Sequence, residues 1–160
     1  MQRAASLLGT GEGIEVLRSS RVYETEPVGP PQPDFLNAVV EVSTVLAPLD
    51  LLSACLLIEE AMGRIRAERW GPRVIDVDVL TYGDQTIREP SLVVPHQRMH
   101  LRAFVLAPLL ELDPNPPLPE GVTLATLRLP DQRVSLFAPA LEVRHWRGRE
   151  GSKLYSPPDR

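Results

Sequence analysis

Glu68-Arg69-Trp70-Gly71-Pro72-Arg73-Val74-Ile75-Asp76-Val77-Asp78-Val79-Leu80 is the stretch around which the rest of the chain can be read. Val74, Ile75, Val77 and Val79 are β-branched and favour extended backbone, and apolar residues flank each aspartate, so the second half is predicted to be a buried strand. Successive strand side chains point to opposite faces, which places Asp76 and Asp78 on one face about 6.6 Å apart at Cα, with Ile75, Val77 and Val79 on the other. Two like charges on a mostly apolar strand are costly unless something positive neutralises them. Oxygen ligands suit Mg²⁺, and the flanking Arg69 and Arg73 suit phosphates. The competing reading is an edge strand with one solvated face, where Asp-x-Asp needs no ligand.

Upstream of this stretch, Gly63 to Arg73 holds Arg64, Arg66, Arg69 and Arg73 together with Trp70. It reads either as a solvated loop or as a polyphosphate clamp converging on the two aspartates. Before it, Leu51, Leu52, Cys55, Leu56, Ile58 and Met62 mark an amphipathic helix that Gly63 ends, with Glu59 near its end on a mostly buried surface. Phe35 to Thr44 alternates well enough to be a strand with Phe35 and Asn37 on one face. A ring beside an amide can read a flat heterocycle; alternatively the asparagine bonds the loop backbone. Glu24 to Asp34 is a loop punctuated by proline and glycine, Ile14 to Tyr23 a strand with an irregular middle, and Gln2 to Leu8 the last turns of a helix.

Downstream, Tyr82-Gly83-Asp84-Gln85 reads as a hairpin turn with a return strand starting at Thr86-Ile87. His96 follows a proline and is read as a phosphate hydrogen-bond donor or as a satisfied turn histidine; with His100 it makes no zinc set. Arg98 to Leu106 is predicted to be a second helix that buries Phe104, Val105 and Leu109 and presents Arg102, with Pro108 near a tight bend. A rigid proline loop at 113–121, a short helix over Thr123 to Leu129 and an edge strand over Val134 to Phe137 complete the domain, 1–143; residues 144–160 read as a basic, frayed tail.

The 160 residues suit one domain, long enough to bury about two thirds of its unfolded surface. A net charge of -4 argues against general nucleic-acid binding. The lone Cys55, in an apolar run, allows no disulfide within the chain and suits the cytoplasm. No run approaches the roughly 18 apolar residues of a membrane span.

Taken together, Tyr23-Glu24-Thr25-Glu26-Pro27-Val28-Gly29, Phe35-Leu36-Asn37-Ala38, Glu59 with Gly63-Arg64-Ile65-Arg66, the Arg69-Trp70-Gly71-Pro72-Arg73 run into Asp76 and Asp78, and Pro95-His96 followed by Arg102-Ala103-Phe104-Val105-Leu106 resemble the 6-hydroxymethyl-7,8-dihydropterin pyrophosphokinase family, over Tyr23 to Leu112. The resemblance implies an α+β, ferredoxin-like core with an antiparallel sheet and packed helices. Family members usually begin with a strand and a Gly-Ser-Asn-Leu-Gly loop. This chain opens inside the helix that follows, so the sheet is expected to miss its first strand.

By the same resemblance, Asp76 and Asp78 hold two Mg²⁺ ions that bridge the phosphates of ATP, the co-substrate. Arg64, Arg66, Arg69, Trp70, Arg73, His96 and Arg102 serve ATP and the moving phosphates, with Arg69 and Arg73 catalytic beside the aspartates. Thr25, Val28, Phe35, Asn37 and Phe104 form the pterin pocket. The implied reaction gives the pterin diphosphate and AMP, in folate biosynthesis, by a monomer with small-molecule partners only. Leu56 stands where some relatives carry a glutamine, so one polar contact is expected to be absent. The rival readings are another Mg-dependent nucleotide-using transferase, a catalytically impaired member of the same family, and a non-catalytic polyanion binder. Pterin-dependent AMP release separates the first two from the assignment, and salt-sensitive binding without Mg²⁺ dependence marks the third.

Overall fold

A computed structural model describes residues 1–27, 33–63, 75–128 and 131–143. The fold is mixed α+β, with every strand pair antiparallel and helices packed on the strands, in keeping with a ferredoxin-like arrangement.

α1 (Gln2–Thr10) buries Ala4, Ala5 and Leu8, and the chain turns at Gly13, whose φ of 77° favours glycine. The irregular strand expected between Ile14 and Tyr23 is two strands, β1 (Ile14–Ser19) and β2 (Val22–Thr25). The single strand expected over Phe35 to Thr44 likewise divides into β3 (Phe35–Asn37) and β4 (Val40–Thr44). Both breaks share one cause. Buried Ser20 donates its N–H to the Val39 carbonyl (2.8 Å), and its hydroxyl accepts the Val39 N–H (2.9 Å). That stitch bends the ribbon, so β1 pairs with β4 while β2 pairs with β3.

α2 (Pro48–Ala61) starts with a proline in its first turn and ends before Gly63, at φ 95°. Leu51 and Ile58 meet Ala4, Leu8, Ile14 and Val16 in the main core cluster, with Ile75, Val79 and Tyr82 packed against it. The Tyr82 hydroxyl donates to the Leu46 carbonyl at 2.6 Å, fastening the aspartate stretch to the loop before α2.

That stretch departs from expectation. No strand is assigned between Ile75 and Leu80, although the side chains alternate as a strand's would, Asp76 and Asp78 exposed and Ile75, Val77 and Val79 half-buried. A strand is defined by ladder bonds to a neighbour. Here the backbone instead donates the Val77 N–H to Glu59 Oε1 (2.7 Å), and the Leu80 carbonyl accepts the His96 N–H (2.8 Å). The turn at Tyr82–Gln85 is present, but the following strand β5 (Ile87–Glu89) pairs forward with β6 (Leu92–Val94) rather than back.

The helix expected from Arg98 is a 3₁₀ turn over Met99–Leu101 followed by α3 (Ala103–Leu112). α3 fully buries Ala103, Leu106 and Leu109 and leaves Phe104 and Val105 partly exposed; Pro108 lies inside it and is buried. Thr123 to Leu129 forms no helix among the described residues. The Thr123 carbonyl accepts the Thr126 and Leu127 N–H groups, and the two threonine side chains close that single turn. β7 (Val134–Ala138) is the edge strand expected, paired to β2 in a β3–β2–β7 sheet. No helix among the described residues is long and apolar enough to cross a membrane.

Candidate active site

A cleft of about 1890 Å³ opens between these elements, larger than the roughly 300–1,000 Å³ of a typical small-molecule pocket. Part of its lining is apolar core, from α1, α2 and β4. The polar remainder gathers residues far apart in sequence. Thr25, Phe35, Asn37, Asp76, Asp78, Arg102 and Phe104 all line it.

The first group comes from the β2–β3 hairpin. Thr25 pairs with Phe35 and Tyr23 with Asn37, so these four residues share one face of the sheet. Thr25 is 2% exposed, and its hydroxyl accepts a hydrogen bond from the Asn37 amide at 2.8 Å. That bond fixes the amide beside the Phe35 ring, which stays 42% exposed and open to a ligand. The sequence left Asn37 between a loop-backbone partner and a ligand reader; its main bond is to the threonine side chain.

The second group hangs on α3 and the turn before it. Arg102 is the residue preceding α3, and its guanidinium lies over the Phe104 ring at 5.6 Å, a cation–π contact that holds both at the helix entrance. Glu111, near the other end of α3, accepts the Tyr23 hydroxyl at 2.6 Å and the Arg21 N–H groups at 3.1 and 3.2 Å. Burial draws the Glu111 carboxyl upward, but these donors outweigh it and hold it below its ordinary value of 4.5. α3 is thereby tied to β2.

Asp76 and Asp78 form the third group. Glu59, 2% exposed on α2, holds the peptide N–H of the valine between them. His96 follows the cis Val94–Pro95 bond and is secured by its own N–H to the Leu80 carbonyl. Its Nδ1 accepts the Arg98 N–H at 3.2 Å, which assigns the ring proton to Nε2. Burial lowers the His96 pKa from 6.5 against the pull of Asp78, and Arg102 lowers it further, so the ring is neutral at pH 7 and keeps an Nε2–H donor. Cys55 is buried as expected; burial and the Asp78 charge raise its thiol to about 11. A protonated thiol is no nucleophile.

A magnesium site can be tested against the donor set. Among the described residues no group of three or more His, Cys, Asp and Glu side chains converges. Two exposed carboxylates on one side of an extended stretch are what the protein offers. Mg²⁺ keeps several waters and takes one or two carboxylates plus substrate phosphates, so the residues fit.

Val28, Arg64, Arg66, Arg69, Trp70 and Arg73 lie outside the described residues, as do 144–160. Gln132 also lines the cleft, and Arg133 follows it, in a segment between the two elements expected over Thr123 to Leu129 and Val134 to Phe137. A glutamine after a proline-rich loop carries no local signal of such a role.

The fold is α+β, and its cleft brings an amide–aromatic surface and a carboxylate–cation surface together. The family model for 7,8-dihydro-6-hydroxymethylpterin-pyrophosphokinase (HPPK) matches residues 1–114, and the chain belongs to that family. It is 44% identical over 115 residues to the 2-amino-4-hydroxy-6-hydroxymethyldihydropteridine pyrophosphokinase of Synechocystis sp., covering 72% of this chain and 59% of that relative. It is 50% identical over 109 residues to the Pseudomonas aeruginosa protein of the same name, 68% of this chain and 67% of the relative. For the Methylorubrum extorquens protein the figures are 48% over 120 residues, 71% and 76%.

Proposed function

We propose that this chain transfers the terminal diphosphate of ATP to the hydroxymethyl group of 6-hydroxymethyl-7,8-dihydropterin, releasing AMP, as a step of folate biosynthesis. The observation that carries this reading is the meeting, in one cleft, of an amide–aromatic surface (Thr25, Phe35, Asn37, Phe104) with a carboxylate–cation surface (Asp76, Asp78, Arg102). Flat heterocycle and polyphosphate are the two halves of that reaction's substrates.

The hydroxymethyl oxygen attacks the β-phosphorus in line. A bond from that oxygen to phosphorus forms, the bond from the β-phosphorus to the oxygen bridging to the α-phosphate breaks, and AMP leaves with the bridging oxygen. The hydroxyl proton passes to water. Such a transfer asks for positioning and charge neutralisation more than for a strong base. Asn37, oriented by Thr25, reads the edge of the heterocycle, while Phe35 and Phe104 take its faces. Arg102 and the neutral His96, through Nε2–H, donate to phosphate oxygens. Asp76 and Asp78 would hold Mg²⁺, two ions in this reading, and the metal would supply charge neutralisation for the phosphates. Arg64, Arg66, Arg69 and Arg73 complete the phosphate contacts, Trp70 helps close the site over ATP, and Val28 contributes to the pterin pocket. The protein works as a monomer in the cytoplasm, with small molecules as its partners.

AMP formation from ATP, measured with and without the dihydropterin and Mg²⁺, tests the reading. Pterin-dependent AMP that disappears in Asp76→Ala is the expected result; ATP consumption indifferent to pterin would overturn it.

A further inference from the structure

The two aromatic walls of the heterocycle compartment stand on different elements, Phe35 on β3 and Phe104 on α3, and two consecutive residues reach one wall each. The β3–β2–β7 sheet ends level at Phe35, Thr25 and Val134, which are register partners. Arg133 sits just beyond that end. Its guanidinium grips Asp34, the residue before Phe35, with two bonds of 2.7 and 2.8 Å from one nitrogen. Its backbone exchanges a pair of bonds with Glu26, the residue after Thr25: Arg133 N–H to Glu26 Oε1 at 3.0 Å, and Glu26 N–H to the Arg133 carbonyl at 3.3 Å. One residue thus holds the ends of both hairpin strands.

Gln132 reaches the opposite way. α3 has no side-chain cap of its own, and the first N–H groups of a helix need acceptors. The Gln132 carboxamide oxygen accepts the Ala103 N–H at 2.8 Å, between Arg102 and Phe104, and Gln132 itself lines the cleft. Because 132 and 133 are covalent neighbours, the helix entrance and the hairpin end are tied to each other through one short stretch of backbone.

We propose that Gln132 and Arg133 are positioning residues that set the gap between Phe35 and Phe104 into which the dihydropterin ring fits. The bracket touches the hairpin end and the helix entrance, and none of its bonds is made to Asp76 or Asp78. Loosening its grip on the hairpin therefore weakens pterin binding while leaving the phosphate chemistry intact, whereas loosening the helix entrance also frees Arg102, so pterin binding falls most and ATP binding less. The proposal rests on the pterin-transferase reading above.

Steady-state kinetics with each substrate varied separately, alongside thermal unfolding, decide it. Gln132→Leu removes the acceptor and Arg133→Ala the grip on Asp34. Each is expected to raise the dihydropterin KM on the order of fivefold, as loss of a hydrogen bond worth about 1 kcal/mol would; ATP KM and kcat stay within about twofold of wild type in Arg133→Ala, and in Gln132→Leu the ATP KM rises less than the pterin KM. Gln132→Glu keeps an acceptor for the Ala103 N–H and should restore the pterin KM. Arg88→Ala, which breaks an exposed pair with Glu120, serves as the neutral control. A fall in melting temperature with an unchanged pterin KM would reduce the bracket to a structural tie and overturn the proposal, as would equal shifts in both KM values. Should Gln132→Leu fail to fold, Arg133→Ala decides alone, since its side chain is half exposed. Wild-type protein that neither binds nor consumes the pterin would instead overturn the underlying reading.

Discussion

Asp78 exerts its charge on two neighbours, pulling upward on both the buried Cys55 thiol and the half-buried His96 imidazole. At His96 the pull loses to burial and to Arg102, which is why the ring is a neutral donor. The sign of its pH dependence follows. With a folded pKa below the ordinary 6.5, the stabilisation is fully present above about pH 6.5 and is lost as pH falls through the folded value, where charging the ring also costs Nδ1 its bond from Arg98. The acid limb of kcat/KM should therefore reflect His96, and His96→Gln, which keeps a neutral donor, should flatten it; an acid limb unmoved by that substitution would exclude the role. For the aspartates, Asp76→Asn or Asp78→Asn preserves shape and removes charge. Each should lower kcat on the order of a hundredfold or more while leaving pterin binding nearly intact, as read by pterin fluorescence titration.

On the scale of elements, the aspartate stretch depends on a helix. Glu59, buried on α2, receives the Val77 N–H at 2.7 Å and so does for one peptide what a neighbouring strand does for many. Glu59→Leu keeps the bulk and removes the acceptor. It should cost about 1 to 3 kcal/mol in urea unfolding, the penalty of an unsatisfied buried N–H, and lower activity through Asp76 and Asp78. The sequence displayed some of this clearly. Alternation of valine and aspartate foretold the exposed carboxylate face, because side-chain direction follows from local extension alone. It did not foretell that the stretch lacks ladder bonds, since pairing depends on distant backbone that no local pattern describes. The splits at Ser20 and Val39 were hidden for the same reason: the stitch joins residues nineteen apart. α3 was legible as a helix but began later than expected, because the chain first makes the 3₁₀ turn Met99–Leu101 and is extended at Arg102. Thr25, Asn37 and Phe104, expected in the site from family resemblance, line the cleft, and so does Gln132, which no pattern singled out because it accepts a backbone N–H from another element.

For the whole molecule, the consequence is that the cleft's walls are held together from many directions and by little shared backbone. Residues from 1 to 132 line one space, and it is larger than a single ligand needs. Substrates filling it join the hairpin, α3 and the aspartate stretch, so binding should register as global stability rather than as a local change. A ligand at a hundred times its Kd adds about 2.7 kcal/mol to the folded state, which for a domain of this size raises the melting temperature by roughly 5 to 10 °C. The dihydropterin and a non-hydrolysable ATP analogue should each produce a rise, with only the nucleotide's part requiring Mg²⁺. Asp76→Asn should erase that Mg²⁺-dependent part and leave the pterin's, whereas Asn37→Ala should do the reverse. Differential scanning calorimetry of the three proteins reads both halves of the cleft in one experiment, and a nucleotide shift that survives Asp76→Asn with its Mg²⁺ dependence intact would remove the aspartate from the metal site.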